Sequence, residues 1–318
     1  MGEKRYTFEL PSPVQKASPE AEILRKLRSF LDAMEPGLVY LLVNLWGAQG
    51  KAITYKELRE AILAGDISTE LFLEWQQDYS RFVEEHLKPA WLEAMAEAAK
   101  EIQSQYPEWT FDPMHDGIRS WVDSHAAEFV TNSTETQIQA VRAVVQRASV
   151  LHDINVDTLS RAIRPMVGLT YQQSIANMNY FTNLIQNGTS EKRAKDLSIR
   201  YAARQHRYRG YNIARTELAF AYNQGSYQAT KQAQAKGYMG EVEKVWCTAD
   251  DERVCDICGG LDGARVAMDE DFNFRTKLEG RVRTIRRVPP AHPSCRCGVL
   301  YKEISPPVFT TKQTENIV

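Results

Sequence analysis

The residue types and spacings with the most chemical meaning lie near the end of the chain. Cys255-Asp-Ile-Cys258 is followed by Gly259-Gly260, and 33 residues separate Cys258 from His292. Cys295 and Cys297 come next, inside the stretch PPAHPSCRC that runs from Pro289 to Cys297. Thiolate sulfur and imidazole nitrogen are the preferred donors of a structural zinc site, and glycine after the second cysteine permits a tight knuckle turn. Two thiolates side by side are tolerable when a divalent cation neutralises them. The expected set is Cys255, Cys258 and His292 with one or both of Cys295 and Cys297. If the last two lie on one strand they face the same way, both bind, and His292 becomes a supporting residue. A redox C-x-x-C pair usually opens a helix, and Gly259-Gly260 argues against a helix there. The expected Zn2+ is structural. Pro293-Ser294 after His292 leaves no H-x-E of the deaminase type, H-E-x-x-H is absent, and four or five strong ligands leave no open position for water.

A second constellation sits in IARTELAFAYNQG, where Arg215 and Glu217 interrupt a run of small and apolar residues. On a helix they point about 200° apart, so each meets a different neighbour rather than the other. The plain reading is a pair of inter-helix ion pairs that set packing register. The sharper alternative is a catalytic Arg/Glu pair.

Elements must bring these groups together. The chain has 318 residues, room for about two domains, and a formal net charge of −2, which rules out a molecule-wide polycation. With 43% hydrophobic and 25% charged residues it reads as a soluble globular protein. No run approaches the roughly 20 apolar residues of a bilayer span, so no membrane partner is expected. MGEKRYTFEL has no apolar leader core, and the first 246 residues contain no cysteine. These features predict a chain folded in a reducing cytoplasm.

Helical patterns dominate. Ser18-Pro19 opens a helix that Pro36-Gly37 is expected to stop near Met34. Thr54 and Glu57 form a capping box, Leu71, Trp75, Tyr79 and Phe82 recur at helical spacing, and Pro89 can open a further helix. Residues 190–236 read as two long helices, broken or bent near Gly210. From Glu241, valines, a tryptophan and glycines predict short strands and tight turns. The expected fold is mainly α: an extended multi-helix body with a small C-terminal α+β/β zinc-stabilised module and flexible termini. The expected divisions are an arm (1–18), an N-terminal helical domain (19–150), a long-helix region with the RTE motif (151–240), the zinc-knuckle module (241–302) and a tail (303–318).

GLT (Gly168–Thr170), IARTELAFAYNQG, KVWCTADDERVCDICGGLDG and VPPAHPSCRC occur in that order. The ordered set resembles the phage head morphogenesis family, the Mu F-like minor head proteins of tailed bacteriophages. The resemblance covers about residues 168–300 and is carried by Arg215, Glu217, Cys255, Cys258, His292, Cys295 and Cys297. It implies a minor head component in the virion interior, assembled in the host cytoplasm. The implied partners are the portal protein and a scaffolding or major capsid protein, with roles in DNA packaging or ejection. It implies no catalytic activity. Cys247 is expected to be a buried thiol and not a ligand.

Two stretches are locally basic. Eight Lys/Arg face two acids between Glu191 and Arg215, including Arg200, Arg204, Arg207 and Arg209. Six face Glu279 between Arg275 and Arg287, including Arg281, Arg283, Arg286 and Arg287. The plain reading is a solvated, ion-paired surface; the sharper one is non-specific contact with packaged double-stranded DNA. Two other functions remain open beside the head-protein reading. One is a zinc-containing enzyme, nuclease or transferase-like toxin, using Arg215 and Glu217. The other is a plain DNA-binding module.

Overall fold

The computed structural model describes residues 18–68, 70–249, 251–252, 254–275, 282–284 and 287–307. The arm expected at 1–18 therefore lies almost wholly outside the described residues, as does most of the expected tail.

Ser18 caps the first helix, α1 (Pro19–Ala52), by accepting the Ala21 N–H. This helix runs straight through Pro36, where the sequence predicted its end. A proline inside a helix removes one hydrogen bond and costs about 3 kcal/mol. The reason it is tolerated is the buried stripe Leu27, Leu31, Glu35, Leu38, Leu42 and Trp46, which continues on both sides of Pro36. Each large apolar side chain so buried contributes about 1.5–3 kcal/mol, so ending the helix would forfeit more than the proline costs.

The helices α2 (Tyr55–Ala64), α3 (Glu70–Phe82) and α4 (Lys88–Gln105) follow, a five-residue π turn joining the last two. The capping box at Thr54 and Glu57 is formed. Next come α5 (Asp116–Ser149), α6 (Val156–Ile163) and α7 (Tyr171–Gln186). The predicted pair of helices at 190–236 is one 45-residue helix, α8 (Glu191–Ala235), about 68 Å long. At Gly210 the backbone stays helical, because this turn is clamped by packing: an added Cβ would sit 3.2 Å from Val39 of α1. Further along, Gly225 lets α4 approach so closely that a Cβ there would meet the Met95 backbone at 2.3 Å.

A chain of buried polar groups pairs three of these helices. Trp46 donates to the Tyr79 hydroxyl (2.9 Å), Tyr79 to Gln137 (2.8 Å), and Gln137 to Gln49 (3.1 Å), linking α1, α3 and α5. The GLT turn closes the same region. Gly168 has φ +90°, and a Cβ on it would strike the Trp46 ring at 2.2 Å; only glycine fits. Its carbonyl accepts from the buried Arg209 guanidinium, whose Cζ lies 4.9 Å over the Trp46 ring. Leu169 is fully buried and Thr170 caps α7. Arg209 is thus a core residue and not the DNA-facing one its sequence neighbourhood suggested.

The C-terminal module is a three-stranded antiparallel sheet in the order β2-β1-β5, made of β1 (Glu241–Cys247), β2 (Arg265–Ala267) and β5 (Gly298–Ser305). A short helix, α9 (Asp256–Leu261), and the two-stranded ladder of β3 (Asn273–Arg275) and β4 (Val282–Thr284) complete it. Strand β5 carries ordered pairing to Ser305, into the stretch expected to be a tail.

His206 stacks on Trp46 with ring centroids 5.6 Å apart, and its Nε2–H donates to the Val167 carbonyl at 2.8 Å. Burial pushes its imidazole down to about 4, against the pull of the Val167 bond and assisted by Arg209. The unfolded imidazole takes up its proton at about 6.5. Stability is therefore fullest above that pH and falls as pH drops toward 4. Urea unfolding should show the wild type losing up to about 3 kcal/mol more than His206→Gln across this window. Equal losses would mean that this ring is not held neutral.

Candidate metal centre

Trp246 of β1 is fully buried in a small core with Cys258, Leu261, Phe272, Cys295, Cys297 and Val299. Its ring meets Phe272 edge-on at 5.1 Å. Cys255 caps α9, its sulfur accepting the Cys258 N–H at 3.4 Å. Gly259 and Gly260 are therefore helical, contrary to the expectation from their composition. The cap and the burial of Cys258 and Leu261 outweigh a glycine cost of about 0.5–1 kcal/mol each.

His292 closes on this knuckle from the other half of the site. Its Nε2 lies 3.1 Å from the Cys255 sulfur and 3.2 Å from the Cys258 sulfur. Nδ1 donates to the Pro293 carbonyl at 2.8 Å, which leaves the lone pair on Nε2, aimed at the sulfurs. Cys258 and Cys295 sulfurs are 3.7 Å apart. The donors fall into two triplets that share Cys258: Cys255, Cys258 and His292, and Cys258, Cys295 and Cys297. Within each, all ligand atoms lie within 4.8 Å of one another, so each triplet could hold a metal ion. Cys295 and Cys297 precede β5 and lie on no strand. They converge because Ser294 adopts a left-handed φ of 58° and the Cys295 N–H turns back onto the His292 carbonyl at 3.2 Å.

The electrostatics favour a cation here. Hydrogen bonds from Cys258 and Cys297 hold the Cys295 thiol well below its ordinary value. Bonding to Cys295 and Cys297 holds Cys258 well above its ordinary value. Burial opposes ionisation of Cys255, but the Cys258 N–H and His292 bring it below its ordinary value. Three clustered sulfurs thus share their protons and cannot all ionise together without a positive charge among them. The buried Trp246 indole N–H has no hydrogen-bond partner among the described residues. Cys258 lowers the Cys297 thiol, but bonding to Cys295 and burial hold it above its ordinary value. Cys247 lies outside both triplets; burial pushes its thiol up to about 11.

One turn of α8 holds this module to the body. Arg215 donates through Nε and Nη2 to both carboxylate oxygens of Glu35 in α1, at 2.7 and 2.9 Å. Thr216 Oγ1 accepts the Ser294 N–H at 2.9 Å, and the Ser294 hydroxyl donates to Asn212 at 2.7 Å. Glu217 pairs with His125 Nε2 of α5 at 2.7 Å, the imidazole stacked on Trp121 at 4.6 Å. Asn223 donates to the Cys297 carbonyl at 3.3 Å, and Arg296 makes a two-pronged contact with Asp251, both bonds 2.7 Å. Reading charges alone missed Thr216. Glu35 and His125 were missed as well, although each sits on an otherwise apolar stripe, beside Leu31 and Leu38 and beside Val122 and Phe129.

Of the predicted basic residues, Arg200, Arg204 and Arg207 are exposed on α8, whereas Arg209 is buried. Arg287 is bound to Asp271 and to the Tyr227 hydroxyl. Arg283 belongs to β4, and Arg281 and Arg286 lie outside the described residues.

Fold and site together define a helical protein whose C-terminal module carries a Cys/His metal-type knuckle locked onto an Arg-Thr-Glu turn. Residues 139–300, just over half of the 318-residue chain, match the family described as Phage Mu protein F like protein, and the chain belongs to that family. The matched span runs from within α5 into β5 and includes Arg215, Glu217 and every donor of the two triplets. Searches of curated proteins and of solved structures return no match. Family membership assigns the chain to phage head morphogenesis and to the virion. No helix among the described residues is long and apolar enough to cross a membrane.

Because Cys258 belongs to both triplets, Cys258→Ser should abolish metal content measured by elemental analysis of purified protein. Cys247→Ser should leave that content unchanged. Wild-type metal content in Cys258→Ser would refute a shared centre.

Proposed function

We propose that the chain is a minor head protein built into the particle with the portal and a scaffolding or major capsid protein, and that its C-terminal module is clasped by one structural zinc ion. Family membership supports the first part. The carrying observation for the second is the donor geometry. Two sulfurs each about 2.3 Å from a tetrahedral zinc lie about 3.8 Å apart, and Cys258 and Cys295 are 3.7 Å apart. Four of the five donors Cys255, Cys258, Cys295, Cys297 and His292 would hold the ion, which would supply charge neutralisation and cross-linking rather than chemistry. The module has a small core of its own, and in such units metal binding is folding free energy.

In this reading the protein has no enzymatic role and acts during head assembly and DNA packaging or ejection. The module is a rigid end-piece, and the helices ahead of residue 139, outside the family match, are the surface left for a specific partner. Purified procapsids and virions should both contain the chain by mass spectrometry, and portal-less particles should lack it. Absence from every particle type would sink the proposal.

One observation favours the competing enzymatic reading. A cavity of about 330 Å³ between α5, α8 and the Pro290–Pro293 loop is lined by His125, Glu217 and His292. In the structural reading Glu217→Gln weakens the charged bond to His125 and lowers stability by about 1–3 kcal/mol, with infectivity falling only as far as assembly does. A Glu217→Gln protein that folds and assembles at wild-type levels yet gives non-infectious particles would restore the enzymatic reading.

A further inference from the structure

The N-terminal half of α8 presents Arg193, Arg200, Arg204 and Arg207 at the surface. At 100° per residue these four positions fall within about 60° of one another, along about 21 Å of helix. Tyr208 and Tyr211 extend the same face and are 64% and 46% exposed. Tyr40 of α1, also exposed, lies one residue from Val39, which packs on Gly210 of α8. The rest of α8 is anchored: Tyr201, on the flank beneath Arg204, meets Tyr180 of α7 at 5.1 Å, and on the opposite side Ser198 bonds Asn177 of α7 at 2.5 Å and His206 stacks on Trp46 of α1.

This ridge is uncompensated. Among the described residues none of its four arginines has an acidic side chain within ion-pairing distance, and the nearby Asp196 is taken by Lys195 at 3.4 Å. Of the helices packed on α8 here, α6 carries Asp157, which Arg59 holds at 2.9 Å. No residue of α7 is charged, and α1 from Pro36 to Ala52 carries only Lys51. A molecule of net charge −2 that gathers these guanidinium groups beside the uncharged α7 and the acid-free half of α1 has concentrated positive potential on one line.

We infer that this ridge binds the phosphate backbone of double-stranded DNA without reading its sequence. Guanidinium forks match phosphate oxygens in two-pronged geometry, and tyrosine hydroxyls add backbone contacts. Duplex DNA presents about one negative charge per 1.7 Å of axis, so a straight 21 Å row of arginines meets a continuous supply of partners. A protein partner fits this face less well, because protein interfaces concentrate their energy in desolvated anchors within pockets, whereas the ridge is convex and charged. The second basic stretch is not part of the inference, since Arg287 is already bound by Asp271 and Tyr227 and Arg281 and Arg286 lie outside the described residues. The inference is independent of the portal reading. It stands or falls on a binding curve, whereas that reading depends on particle composition.

The test is fluorescence anisotropy of the full-length, metal-loaded protein with a labelled duplex of arbitrary sequence, across a salt series. Four neutralised phosphates give a slope of log K against log salt of about −3.5. The variant Arg200→Glu/Arg204→Glu/Arg207→Glu should bind at least about 100-fold more weakly at low salt, with a slope near −1. A neutral version with Gln at the same three positions should show an intermediate loss, and circular dichroism should show both folded. Arg25→Glu/Arg28→Glu/Lys100→Glu changes net charge equally at residues already beside Glu22, Asp32 and Glu97, and should bind nearly as the wild type does. Equal losses in the two Glu variants would reduce the effect to net charge and overturn the inference. It is overturned equally by no binding in the wild type, or by poly-glutamate displacing the protein as well as unlabelled DNA does.

Discussion

The ion pair between Arg215 and Glu35 is the contact on which the rest of the arrangement depends. Glu35 is buried on an otherwise apolar stripe, so its carboxylate must be answered within the protein, and among the described residues Arg215 does so with a two-pronged contact. Such a pair contributes little net stability, because desolvation offsets its attraction, but removing one partner costs about 3–5 kcal/mol. It therefore rejects any register of α8 against α1 that separates the two. The next two residues of the same turn inherit that register. Thr216 receives the metal loop and Glu217 receives α5. Three consecutive side chains thus place three elements, as their 100° spacing allows.

The metal loop and its knuckle approach from sequence positions more than thirty residues apart, and neither half has a large core. What docks them is mainly polar: Ser294 on Thr216 and Asn212, Asn223 on the Cys297 carbonyl, Arg296 on Asp251. Directional bonds of this kind hold geometry better than apolar contact does, which suits a cluster of sulfurs that must stay within reach of one ion. The buried Lys244 does similar work across the sheet. Its ammonium donates to the Glu270 and Arg287 carbonyls at 2.6 and 2.9 Å, and burial lowers it to about 8.

The helical body follows a complementary rule. Its apolar faces give cohesion, while a small number of buried polar groups choose one packing. The chain from Trp46 through Tyr79 and Gln137 to Gln49 and the Arg209–Gly168 bond each pair long side chains with partners distant in sequence. Any slipped packing would strand these groups without partners, at about 1–3 kcal/mol apiece.

By itself the sequence determined the helical character, the caps at Ser18 and Thr54, the short-stranded C-terminal module and the candidate donors among its cysteines and histidine. These depend on local propensity and on residue chemistry, which short windows contain. It also indicated that Arg215 and Glu217 face different neighbours, because helix periodicity alone separates them. Only the tertiary structure decided that α1 passes through Pro36, that α8 is unbroken at Gly210 and that Gly259-Gly260 is helical, since packing and capping there outweigh local cost. Only it named Glu35, His125 and Thr216 as partners, buried Arg209, and separated four arginines onto one unpaired face. Each of those outcomes depends on which distant groups a side chain meets, and linear spacing carries no information about that.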